Sequence, residues 1–342
     1  MNAWSLIAGF VPVIAFLLGL RLMDSYKLVQ RRALILTLVG GVVAALLAFL
    51  VNRWLLDEIH VPPGVLRAWA APIIEELLKA VLVAWLVSRN RVGFVVDAAV
   101  LGFAIGTGFA LAENVYYANA LRDPSLVLWL VRGLGTAIMH GTATALFAIF
   151  AKGLSDRFPA SGVLAYVPGL LFAIIVHATF NQMNSSPLVT TAILLAAGPI
   201  LLLAAFEYSE RATRDWLSSG FDGEMEMLEM ILDGEVAETP VGHYLETLRS
   251  RFDPIVVADL LCLLTIHLEL SLRAKGMLIA RAAGVEVEVD ESVRANLVEM
   301  KFLERTVGTT GCLAILPLRR TSRQDLWQIL LLQRASAGTT KA

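Results

Sequence analysis

Two adjacent carboxylates and an ammonium, Glu75, Glu76 and Lys79, stand in a run that from Ala68 to Val87 is otherwise apolar apart from Pro72. Later apolar runs hold Phe109, Glu113 and Asn114, then His140, then His177 and Asn181. Carboxylates and neutral imidazoles suit two chemistries. They can bind Zn²⁺ and lower the pKa of its bound water to about 7, or they can serve without metal as a general base and its orienting partner. His177 and Asn181 are four residues apart, which places them on one helix face, and such a pair is suited to stabilising an oxyanion. Either route leads to hydrolysis of an amide.

These residues need elements that can carry them into a membrane. The chain has 342 residues, 57% of them hydrophobic and 17% charged, too apolar for an ordinary soluble protein. Seven apolar runs, at about 4–20, 33–51, 68–87, 94–117, 126–150, 163–183 and 187–206, are each long enough to be read as a membrane helix. The first lacks a basic flank and a small-residue cleavage site, so it is expected to be a retained span. A charge near mid-bilayer costs about 2.5–3.5 kcal/mol. A helix with Glu75, Glu76 and Lys79 is therefore stable in a bilayer only if that face meets other helices or a water pocket. Helical rise counted from the outer span ends puts all these groups roughly 5–11 Å deep, in one layer of the outer leaflet, with Lys79 about 15 Å deep, one turn below the glutamates.

Charge divides the chain in two. Residues 1–206 hold 13 Lys/Arg and 9 Asp/Glu, whereas residues 207–342 hold 15 and 21. The expected organisation is all-α: a polytopic bundle of about seven spans over 1–206, a linker over 207–223 and a mostly helical cytoplasmic domain over 224–342. Eight Lys/Arg lie in the links after the first, third and fifth spans, against three or four in the alternate links. By the positive-inside bias the amino terminus is outside and the carboxyl-terminal half cytoplasmic. Cys262 and Cys312 form no metal or disulfide pattern, which fits a reducing compartment. No basic run points to nucleic acid.

In the second half helices are expected at about 241–251, 255–282, 291–306 and 322–334, with a strand at Val285–Val289. The apolar run Ile255–Leu272 contains Asp259, His267 and Glu269. It is read as the core of a small helical domain in preference to an eighth span.

Plainer readings exist for each group. Glu75, Glu76 and Lys79 could be a structural ion cluster, Glu113-Asn114 interfacial, His140 a packing residue, and His177 with Asn181 an interhelical hydrogen-bonding pair. Asp97 and Arg132, near span ends, and His60, His243 and His267 are assigned structural roles. A non-catalytic receptor binding lipid or peptide in the polar pocket is the rival to an enzyme.

Taken in order, Glu75-Glu76-x-x-Lys79, Phe109-x-x-x-Glu113-Asn114-x-x-Tyr117, a lone His140 and His177-x-x-x-Asn181 resemble the motifs of the PrsW family of intramembrane proteases, which is distantly similar to the CAAX prenyl endopeptidases. The resemblance covers roughly residues 65–185. It implies a multi-pass protease of the bacterial inner membrane that cuts membrane-anchored proteins, such as an anti-sigma factor, on the extracytoplasmic side. It also implies that Glu75 or Glu76 activates water together with Glu113, a position where the prenyl enzymes have histidine. His177 and Asn181 would then stabilise the oxyanion, with His140 as ligand or base and Lys79, Phe109 and Asn114 in support. If zinc takes part, Glu76, Glu113, His140 and His177 are its expected ligands; a glutamate mechanism needs none. The expected partners are the bilayer and a membrane-anchored protein substrate, and the resemblance does not specify an oligomeric state.

Overall fold

A computed structural model describes residues 3–22, 24, 29–120, 130–182, 187–285, 287, 290–318 and 331–333. Among these there is no strand. The helices are α1 (Ala3–Leu22), α2 (Arg31–Asp57), α3 (Ala71–Ser88), α4 (Val95–Ala120), α5 (Thr136–Arg157), α6 (Val167–Gln182), α7 (Pro187–Leu232), α8 (Pro240–Leu248), α9 (Pro254–Ala282) and α10 (Glu291–Ala314). Short π turns at Leu66–Ala70 and Leu130–Gly135 lead into α3 and α5. Two compact units result, Met1–Glu210 and Arg211–Ala342.

The protein is an all-α polytopic membrane bundle. Six of the described helical stretches are long and apolar enough to cross a bilayer: Arg31–Asp57, Val95–Ala120, Thr136–Arg157, Ala160–Gln182, Leu188–Leu232 and Pro254–Ala282. Five of them coincide with expected spans. The expected first span corresponds to α1, an apolar helix of 20 residues. The expected third corresponds to α3, which carries three ionisable residues.

At the centre of the first unit is α4. Apolar on every side, it is buried without interruption from Asp97 to Ala110. Its glycines allow that. A Cβ on Gly106 would meet the His140 carbonyl of α5, and one on Gly108 would meet the Leu38 carbonyl of α2, so both neighbours approach to backbone contact.

The insertion problem posed by α3 is solved by its two faces. Trp69, Ile73, Leu77, Val81 and Trp85 recur every fourth residue and are all exposed, a stripe suited to lipid. On the opposite side Glu76, Lys79, Ala80 and Val83 are buried against the bundle. Pro72 has no N–H to donate, and the turn before it widens into the π form closed by the bond from the Ala71 N–H to the Leu66 carbonyl.

In the second unit α9 buries Leu260, Leu263, Leu264, Leu270 and Leu278 and packs along α10. Asn296 donates to Glu269 at 2.6 Å, and Lys275 pairs with Glu224 at 2.7 Å. Thus α9 has a packed helical face and also the length and apolarity of a span. Residues 207–223, expected as a linker, are helical throughout as part of α7. Val285 and Val287 are not in a strand, and residues 286, 288 and 289 lie outside the described residues, as do the link 184–186 and most of the expected helix at 322–334.

Candidate active site

Four helices deliver six ionisable side chains to one chain of contacts. Glu113 of α4 lies 2.9 Å through Oε2 from His140 Nε2 of α5. The other ring nitrogen, Nδ1, is 2.9 Å from Lys79 Nζ of α3. Lys79 Nζ also donates to Glu76 Oε1 at 2.6 Å, and that same oxygen is 2.8 Å from His177 Nδ1 of α6. His177 Nε2 faces Glu75 Oε2 at 3.7 Å, and the second oxygen of Glu75 accepts from Asn52 Nδ2 of α2 at 3.4 Å.

The partners fix the protons on both rings. An ammonium can only donate, so His140 Nδ1 accepts from Lys79 and Nε2 carries the hydrogen, which goes to Glu113. The Glu76 carboxylate can only accept, so His177 Nδ1 carries the hydrogen and Nε2 keeps its lone pair toward Glu75. Phe109 closes this layer, its ring centroid 4.8 Å from that of His140 and 4.6 Å from Lys79 Nζ. The two imidazoles meet edge to face at 4.7 Å.

Burial separates the two neighbouring glutamates. Glu76 is 2% exposed and Lys79 and His140 0%, whereas Glu75 is 13% and Glu113 21% exposed. A cavity of about 490 Å³ lies on the exposed side, lined by Asn52, Arg67, Glu75, Phe109, Glu113 and His177 among others. Glu75, Glu113 and His177 can therefore touch a substrate. Glu76, Lys79 and His140 stand behind them.

Several sequence expectations land elsewhere. Asn181 does not join His177 in the cluster. It lines the cavity, as His177 does, and donates through Nδ2 to the Arg67 carbonyl at 3.3 Å. Asn114 is buried beside Glu113 but does not line the cavity. Asp97 does have its expected structural role: its Oδ2 accepts from the N–H groups of Gly93 at 3.0 Å and Phe94 at 3.1 Å at the start of α4. His60 lies in a loop at φ 59°. The Arg132 side chain lies outside the described residues.

Asn52 and Arg67 were missed. With the second span ended at 51, Asn52 falls just past it, but α2 continues to Asp57 and holds the amide against Glu75.

Glu75, His140 and His177 each offer a ligand atom within 4.8 Å of the others. Two imidazoles and a carboxylate are a hydrolytic zinc set. His177 is arranged as a ligand, one nitrogen fixed by a carboxylate and the other open. His140 has both nitrogens engaged; to ligate through Nε2 it would have to lose the hydrogen there, release Glu113 and take a proton onto Nδ1 from Lys79. The set fits, with Glu75 in the place expected for Glu76, because the Glu76 carboxylate is already taken up by Lys79 and His177.

A helical membrane bundle that keeps carboxylates and imidazoles together behind an open cavity defines an intramembrane hydrolase. The sequence model described as PrsW family intramembrane metalloprotease matches residues 29–206, just over half of the chain. The protein belongs to that family and is an intramembrane protease, acting on protein within the bilayer. No curated protein and no solved structure matches it.

Proposed function

We propose that the protein cuts membrane-anchored substrates near the outer leaflet by water activated at Glu113, with Glu75, His140 and His177 holding zinc. The observation that carries this reading is the unbroken chain from Glu113 through His140, Lys79, Glu76 and His177 to Glu75, which ends at the cavity on both carboxylates.

Zinc bound there would supply polarisation of the scissile carbonyl and acidify the attacking water. The protein's own groups do the rest. Glu113, released by His140, takes the proton as the water oxygen bonds to the carbonyl carbon, and returns it to the nitrogen as the C–N bond breaks. Glu76 holds the tautomer of His177, and Lys79 compensates the Glu76 charge where no water reaches it. The apolar wall of Phe49, Phe109 and Tyr116 accepts side chains of an unwound span.

The setting follows from charge and resemblance: a bacterial inner membrane, amino terminus outside, residues 1–206 as the protease domain and the acidic second half in the cytoplasm. Site-1 cutting of an anti-sigma factor is the corresponding substrate class. The deciding experiment is cleavage of a single-span reporter in proteoliposomes. Glu113→Gln and Glu75→Gln are each expected to lower turnover by about 10²-fold or more. Activity equal to wild type in both would remove these carboxylates from the mechanism. Chelation is expected to abolish cutting and added zinc to restore it, with about one zinc per chain in the purified protein; full activity in chelator would leave a metal-free glutamate mechanism.

A further inference from the structure

The cavity is acidic within and basic at its rim. Glu75 and Glu113 line its interior, while Arg53 and Arg67 line it where α2 ends at Asp57, α4 ends at Ala120 and α6 ends at Gln182. Arg53 is answered by Asp57 at 2.8 Å. Arg67 has no ion-pair partner among the described residues, and it is exposed. Its backbone is nevertheless fixed twice. Its carbonyl accepts from Asn181 one turn beyond His177, and it stands in the π turn Leu66–Ala70 that leads into the helix of Glu75 and Glu76. Single π turns in helices are frequent at functional sites.

We infer that Arg67 selects substrates that carry a carboxylate side chain about four residues from the scissile bond, on the rim side; this rests on the protease reading above. The register follows from distances. Arg67 and Glu75 are eight residues apart, a rise of at most about 12 Å, because the first part of the path is the π turn. A substrate must be unwound to expose its peptide bond, and an extended chain covers about 3.3 Å per residue, so about four residues span the same distance. The guanidinium fork suits a carboxylate.

The test is a series of single-span reporters in which one Asp is moved residue by residue away from the cut bond, with Asn and Lys controls, cleaved in proteoliposomes of neutral phosphatidylcholine. Wild type is expected to prefer Asp about four residues away on one side, by roughly tenfold in kcat/KM over Asn. Arg67→Glu is expected to reverse the preference toward Lys, and Arg67→Lys to keep its direction. An equal loss across all reporters in Arg67→Glu, or an effect that follows anionic lipid content instead of reporter charge, overturns the inference. If Arg67→Glu does not fold, the wild-type series decides alone, because a flat profile with cutting intact overturns the inference and leaves the protease reading standing. No cutting of any reporter by wild type takes down both.

Discussion

At the scale of single residues, Lys79 is held from three sides. It is fully buried, its ammonium bridges Glu76 and His140, and it lies over the Phe109 ring. Removing one partner of a buried pair leaves the other charge uncompensated, at about 3–5 kcal/mol. Lys79→Met is therefore expected to lower stability by that amount in detergent unfolding, and Lys79→Met with Glu76→Gln to be more stable than Lys79→Met alone, since the orphaned charge is gone. Glu76→Gln by itself keeps an acceptor but loses the charge that holds His177, and is expected to reduce zinc affinity or turnover about 10–100-fold, read by metal titration beside cleavage. The Glu-Glu-x-x-Lys spacing was legible in sequence because i,i+3 and i,i+4 share a helix face. Which glutamate touches substrate was not. Neighbouring positions differ by about 100° around a helix, and only the placement of α5 and α6 decides which of the two directions is filled by protein and which by the cavity.

At the scale of elements, the site depends on how closely α4 approaches its neighbours. Glu113 reaches His140 because Gly106, two turns earlier on α4, lets the α5 backbone come into contact. Gly106→Ala would drive a methyl into the His140 carbonyl, and overpacking of this kind costs about 1–3 kcal/mol. The expected outcome is a lower unfolding midpoint together with loss of cleavage beyond what the stability change explains, because the strain falls on the residue that orients Glu113; Gly153→Ala on α5, where a Cβ meets nothing, serves as the control. Helix type and order were readable from apolar runs with polar punctuation. Helix ends were less so. Hydropathy stops where apolar residues stop, but α2 continues through Asn52 and Arg53 to Asp57, and α7 continues through Glu207 and Arg211 to Leu232, since backbone hydrogen bonding propagates through polar residues wherever propensity allows. In the fifth span the described residues begin at the π turn Leu130–Gly135, from which α5 proper continues at Thr136.

At the scale of the whole molecule, the open physical question is which residues the bilayer holds, and α9 is where it is sharpest. Composition gives this helix the length and apolarity of a span, yet it packs Leu260, Leu263 and Leu264 inward, and Glu269 takes a hydrogen bond from Asn296 of α10. A water-facing domain needs a packed neighbour of this kind to bury the apolar stripe of α9. In the topology proposed above, with seven spans, an eighth would carry α10 to the other side against the Lys/Arg bias. Cys262 reports the difference, because it is exposed and lies about 12 Å along α9 from Pro254. In a Cys312→Ser background, a membrane-impermeant maleimide is expected to label Cys262 in inverted vesicles and not in right-side-out ones. Protection in both orientations, relieved only by detergent, would place Cys262 in hydrocarbon and make α9 a span.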